Sequence, residues 1–321
     1  MKEPALPIRS ILIKAPNWVG DNVFTFPAVA AARSLFPAAG ISVLVKRGIA
    51  PLWELVEGVR EVIPYQVRGG ARDLSAKAAL VRSLRQKRFD LALIFPRSLE
   101  SAIWVCLAGI PERWGYAEEG RSLLLTRRRE CARGYRHTHR IDYYYRLVAD
   151  LPEGTPAPLA PVSLPEGLRA RAREALERAT GRADWKRLYG LHPRASHGPA
   201  KCWPLESYGR LAAELSRGEE SAVIVFGNAV EAELAGRVAR GGGRRVFSLA
   251  GETDLKDLAG LIGLCRVFVA NDTGPLHLAA ALGVPVVGLF GSSDPAATAP
   301  RGAKARRIYR AVPCSPGLRR G

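Results

Sequence analysis

The chain has 321 residues, 47% apolar and 24% charged, and its 48 Lys and Arg against 30 Asp and Glu give a formal net charge of +18. That length exceeds what one hydrophobic core usually holds, so two domains are expected. No apolar run approaches the roughly 20 residues of a membrane span, and the opening MKEPALPIRS lacks the apolar core of a signal peptide, which leaves a cytoplasmic protein as the expectation. From the N-terminus, a strand at 11–15, a helix at 21–35, a strand at 41–46, a helix at 71–87, a strand at 91–95 and a helix at 98–108 alternate as in a doubly wound parallel sheet. No G-x-G-x-x-G follows the first strand, which argues against a dinucleotide site.

The densest basic run is RSLLLTRRRECARGYRHTHR at 121–140. It reads either as a solvated arginine-rich surface or as a face for a phosphorylated partner or an anionic bilayer. No zinc-finger, RNP or basic-zipper pattern accompanies it, so no nucleic-acid partner is expected. An aromatic helix around residues 142–145 comes next, then LPEGTPAPLAPVSLPEG at 151–167, whose five prolines mark a linker. The boundary drawn there gives domains 1–160 and 161–321. The second half repeats the alternation, with strands at 188–192, 222–226, 246–249, 267–270 and 286–290. The cysteines at 106, 131, 202, 265 and 314 are odd in number and lack CxxC pairs, so reduced thiols are expected in place of disulfides or zinc ligands.

Residues 266–295 form the most informative stretch. An apolar strand at 267–270 runs into the polar turn Asn271-Asp272-Thr273-Gly274, Pro275 occupies a first helical turn, 276–282 is an apolar helix, and Gly283 closes it before the strand at 286–290. Such a turn lies at the carboxyl edge of a parallel sheet. It offers backbone N–H groups, hydroxyls and an imidazole to an anion.

NDTGPLHLAAALGVPVVGLFGSSDP at 271–295 resembles the donor-site signature of the lipopolysaccharide heptosyltransferases, glycosyltransferase family 9. Two further stretches agree. ILIKAPNWVGDNVFTFPAV at 11–29 resembles that family's first strand and Gly-Asp turn, in a form close to the heptosyltransferase II branch, and LHPRASHGPAKCWPLESYGRLAAEL at 191–215 resembles its phosphate loop with Lys-x-Trp-Pro. Relatives commonly continue past the stretch matching residues 312–316, often with a terminal helix, so the resemblance implies either a naturally short chain or a last helix that is missing.

The resemblance implies the glycosyltransferase B fold, two Rossmann-like α/β domains facing a central cleft, with the acceptor on 1–160 and ADP-heptose on 161–321. It implies Asp21 as general base, with helix capping as the structural alternative, and Lys201 as the cation facing the leaving diphosphate, with an exposed surface lysine as the alternative. Ser196 adds a hydroxyl there, and Thr273, Gly274 and His277 surround the donor phosphates. Glu231, in FGNAVEAEL, matches an acid that holds the ribose hydroxyls, the alternative being an exposed helix acid. A carboxylate beside phosphate is unfavourable, so Asp272 is read as site-forming, accepting backbone N–H bonds that hold the turn. No metal ligand and no tightly bound cofactor are expected, and the residues leave a Mg2+ requirement open.

The implied reaction is an inverting transfer of L-glycero-D-manno-heptose from ADP-heptose to heptosyl-Kdo2-lipid A, at the anionic inner leaflet, by a peripheral cytoplasmic enzyme. Heptosyltransferase I or a related transferase of the family is one alternative. A catalytically silent basic nucleotide-binding protein is the other.

Overall fold

The computed structural model describes residues 7–69, 72–131, 134–152, 154–195 and 201–310. Position 71 of the expected helix, Ser196, Cys314 and the terminal stretch 311–321 lie outside the described residues. The chain divides into two units, Met1–Ala160 and Pro161–Gly321.

The first unit runs β1 (Ser10–Lys14), α1 (Val19–Leu35), β2 (Gly40–Lys46), α2 (Ala50–Trp53), β3 (Val59–Tyr65), α3 (Leu74–Gln86), β4 (Leu91–Ile94), α4 (Leu99–Leu107), β5 (Glu112–Tyr116), β6 (Arg127–Arg129), α5 (Gly134–His137) and α6 (Arg140–Val148). The six strands are parallel, in the order β3-β2-β1-β4-β5-β6. Helices cover the sheet, so its central strands are apolar in their interiors: Ile11, Leu12 and Ile13 in β1 and all of β4 are fully buried. Ser98 caps α4 by accepting from the Ser101 N–H, which fixes that helix where the apolar period placed it.

Three of these strands escape the period-2 pattern for a physical reason. β3 and β6 are the two edges of the sheet. Edge strands tolerate Pro64 and carry charge, because one side of the ladder needs no partner. β5, ERWGY, is short, charged and holds a glycine.

The second unit runs α7 (Glu166–Thr180), β7 (Arg187–His192), α8 (Leu205–Leu215), β8 (Ser221–Val225), α9 (Ala232–Gly242), β9 (Val246–Ser248), α10 (Leu255–Leu264), β10 (Val267–Asn271), α11 (Gly274–Ala281), β11 (Val286–Phe290), α12 (Pro295–Thr298) and β12 (Ala305–Tyr309). Its parallel order β12-β11-β10-β7-β8-β9 repeats the winding of the first unit. Gly283 ends α11 at φ +74, the left-handed conformation that glycine adopts without a Cβ penalty. β12 reads in the sequence as a basic run because it is another arginine-bearing edge.

In both units the strand order reverses beside the first strand of the sheet, between β1 and β4 and again between β7 and β10. The loops leaving the carboxyl ends of those strands form the crevice where open α/β sheets bind ligands. Asp21 follows β1. Lys201 follows β7, and Asp272 to His277 follow β10.

Candidate active site

In the first unit the segment after β1 is held by buried polar side chains. Asn22, with no exposed surface, donates through Nδ2 to the Pro16 carbonyl at 3.0 Å and the Trp18 carbonyl at 2.6 Å, and its Oδ1 accepts from Trp53 Nε1 at 2.8 Å. Lys14, 1% exposed, donates from Nζ to the Ala15 carbonyl at 2.9 Å and to Tyr65 Oη at 3.0 Å. Tyr65 Oη donates onward to Asn17 Oδ1 at 3.0 Å. The turn in front of Asp21 is therefore fastened from below and from the side of β3.

Burial, and after it the charge of Lys46, lowers the Lys14 pKa from 10.5 to about 7, against the opposing charge of Glu100. The folded value lies below the unfolded one, so between about pH 7 and 10 the unfolded chain binds the additional proton. Stability from this group rises with pH across that window, by at most about 1.4 kcal/mol per pH unit. Urea melts of the wild type should show the rise and melts of Lys14→Met should lack it. Identical slopes in the two proteins would mean that Lys14 does not titrate there.

Asp21 is the third residue of α1, which begins two residues earlier than its sequence suggests, with Trp18 at the cap position and no side-chain cap bond. Its carboxylate therefore lies in the first turn of the helix and not at the cap position. The Asn22 bonds hold that end of the chain, and an acid in the first turn gains from the helix dipole. Oδ1 of Asp21 accepts from Tyr135 Oη and from Tyr144 Oη, each at 3.3 Å.

In the second unit three of the expected residues meet. Lys201 Nζ lies 3.1 Å from Asp272 Oδ2, and His277 Nε2 lies 3.3 Å from Asp272 Oδ1. Asp272 is 8% exposed. Burial pushes its pKa up, but the hydrogen bond and charge of His277 and the charge of Lys201 override burial and hold the carboxyl well below the carboxylate range. The backbone role expected for Asp272 is thus replaced: it spans an ammonium and an imidazole. Asn271 shapes the turn instead, accepting the Trp203 N–H at 2.9 Å and donating to the Pro193 carbonyl at 2.9 Å, so that it ties the loop after β7 to the end of β10. Lys201 is not the exposed lysine of the structural alternative. Its side chain is 12% exposed.

Thr273 is the residue before α11, in extended conformation, and makes no side-chain cap bond. Gly274 and Pro275 open the helix, so its positive end is uncapped by a side chain. Ser196 falls outside the described residues.

Glu231 closes a capping box with Asn228: Oε2 accepts the Asn228 N–H at 2.9 Å, and Asn228 Oδ1 accepts the Glu231 N–H at 3.1 Å. His192, at the end of β7, places Nε2 3.8 Å from Glu231 Oε2. Burial lowers the pKa of that imidazole against the Glu231 charge.

The basic run is partly structural. Arg121 is fully buried and donates to the Tyr116 carbonyl at 2.9 Å, Arg127 stacks 4.2 Å over Trp114, and Arg129 pairs with Asp150 at 2.7 Å. Among the described residues no three His, Cys, Asp or Glu side chains cluster as metal ligands. Sequence reasoning missed Lys14, Asn22, Tyr135 and Tyr144 as parts of these sites. A lysine ending the apolar run 11–13 was the available signal for Lys14; the tyrosines had none.

Residues 77–321 match the family profile described as glycosyltransferase family 9 (heptosyltransferase). Over 93% of its length the chain is 33% identical to lipopolysaccharide heptosyltransferase 2 of Salmonella typhimurium strain LT2, covering 87% of that protein. It is 34% identical to the lipopolysaccharide heptosyltransferase 2 of Escherichia coli strain K12, with the same coverage of 93% and 87%. The solved structure of Escherichia coli ADP-heptose lipopolysaccharide heptosyltransferase II matches with a TM-score of 0.83 at 31% identity, over 93% of this chain and 90% of that one. With two parallel Rossmann-like sheets and this degree of identity across nearly its whole length, the chain belongs to glycosyltransferase family 9, the heptosyltransferases.

Proposed function

We propose that the protein moves L-glycero-D-manno-heptose from ADP-heptose to the first heptose of heptosyl-Kdo2-lipid A, inverting the anomeric carbon. The observation that carries this reading is the cluster of Lys201, Asp272 and His277 at the switch point of the second unit, in a chain whose relatives at 33 and 34% identity are named lipopolysaccharide heptosyltransferases 2. One N–H of the Lys201 ammonium is directed to Asp272, and the group keeps donors for diphosphate oxygens. Because Asp272 is already matched by Lys201 and His277, an incoming diphosphate meets an ammonium, an imidazole and the positive end of α11 at Thr273 and Gly274, not a bare carboxylate. Ser196 adds its hydroxyl to the same phosphates. Glu231 takes the vicinal diol of the ribose, and the capping box holds its carboxylate in place.

Catalysis on this reading is a single displacement. The acceptor hydroxyl gives its proton to Asp21 as its oxygen bonds to the anomeric carbon; the bond from that carbon to the β-phosphate oxygen breaks, and its electron pair leaves with ADP. Charge builds on the departing diphosphate, where Lys201 and the α11 N–H dipoles act. The first unit takes the acceptor. A net charge of +18 suits Kdo carboxylates and lipid A phosphates at an anionic inner leaflet. Among the described residues no helix is long and apolar enough to cross a membrane.

Given ADP-heptose, the full chain should release ADP only when heptosyl-Kdo2-lipid A is added. Release at the same rate without acceptor would make it a hydrolase. Binding of the nucleotide sugar with no turnover would make it a silent nucleotide-binding protein.

A further inference from the structure

We propose that Tyr135 and Tyr144 are positioning residues for the base: by donating both hydroxyls to Oδ1 of Asp21 they fix the rotation of its carboxylate. The proposal rests on the reading of Asp21 as general base. Two donors on one oxygen define the carboxylate plane, which one alone leaves free to turn about the Cβ–Cγ bond. Each contact is 3.3 Å, and the partners arrive from α5 and α6, 114 and 123 residues further along the chain.

The surroundings hold both phenols in a packed aromatic cluster. Tyr144 is 4% exposed and packs edge-on against Phe95 and Tyr143, with centroids at 5.5 and 5.4 Å. Tyr135 meets Tyr143 edge-on at 4.9 Å. Two guanidinium groups lie over the Tyr135 ring, Arg97 at 4.3 Å and Arg140 at 3.6 Å, drawing electron density from the phenol and strengthening its O–H as a donor. Burial first, and the Asp21 charge second, raise the pKa of both tyrosines. Both hydroxyls are thus harder to deprotonate than a free phenol.

Hydrogen bonds donated to an ionised carboxylate favour that form over the neutral acid. The helix packed on α1, α6, carries Arg140, Asp142, Tyr143, Tyr144, Tyr145 and Arg146 with His139 at its cap, and α5 supplies Tyr135. Arg97, which follows β4, acts through the Tyr135 ring.

The test uses the full-length chain and its Tyr135→Phe, Tyr144→Phe and Asp21→Asn variants, with kcat followed against pH at saturating ADP-heptose and acceptor. Phenylalanine keeps both rings in the aromatic cluster, so folding is preserved. Each tyrosine variant should lose about tenfold in kcat, its acid limb should move up by roughly half to one pH unit, and KM for ADP-heptose should stay put. A merely structural role would lower the melting temperature without displacing the acid limb. If Asp21→Asn is inactive while both tyrosine variants keep the wild-type kcat and pH profile, the base reading stands and this proposal falls. If Asp21→Asn is fully active, the base reading fails and takes the proposal with it.

Discussion

Asp21→Asn should fold with a melting temperature close to that of the wild type, bind ADP-heptose with unchanged affinity, and lose on the order of 10²-fold or more in turnover. An amide oxygen still accepts from Tyr135 and Tyr144, whose hydroxyls lie 3.3 Å from Oδ1, so local packing is preserved. What the amide cannot do is take a proton. The loss of negative charge from the first turn of α1 costs about 0.3 to 1 kcal/mol through the helix dipole, too little to unfold a domain. Asp21 lies in the first turn and not at the cap position, and an Asn oxygen there accepts the same N–H bonds, so a large loss of stability is not expected. Wild-type turnover in the variant would remove Asp21 from the mechanism.

The second large effect is expected at Lys201. Lys201→Ala removes the cation that lies 3.1 Å from Asp272 and, on the proposed reading, stabilises the departing ADP. Loss of one such electrostatic contact in a transition state costs roughly 2.7 to 4 kcal/mol, or about 10² to 10³ in kcat. ADP should also bind more weakly, since the buried Asp272 then meets the diphosphate with only His277 to offset it. Some loss of stability accompanies the change for the same reason, so turnover is to be measured well below the variant's own melting temperature. An unaltered kcat would reduce Lys201 to a structural partner of Asp272.

The strands with apolar interiors, β1, β4, β7, β8, β10 and β11, are legible because both faces of a parallel sheet are covered. The α11 turn is legible because its chemistry is local: Asn271 to Gly274, Pro275 at the helix start and Gly283 at the close. Edge strands are not. β6 is three arginines and β12 is ARRIY, and only the neighbouring strand makes either of them extended. The same distinction separates residue type from residue role at the candidate site. Asp272 can be picked out from its turn, yet its partner Lys201 is 71 positions away, so a rule built on local capping assigned it backbone donors. The hydroxyls around Asp21 come from more than 100 positions away. Asn22 fastens the segment before the helix by donating backwards to the Pro16 and Trp18 carbonyls, which no cap preference anticipates.

Transfer itself is tested most directly on the acceptor. Heptosyl-Kdo2-lipid A incubated with ADP-heptose and the full chain should gain the mass of one heptose residue, and NMR of the new glycosidic bond should show the anomeric configuration opposite to that of the donor. Free heptose with an unmodified acceptor, or a product that retains the donor's configuration, would contradict the account.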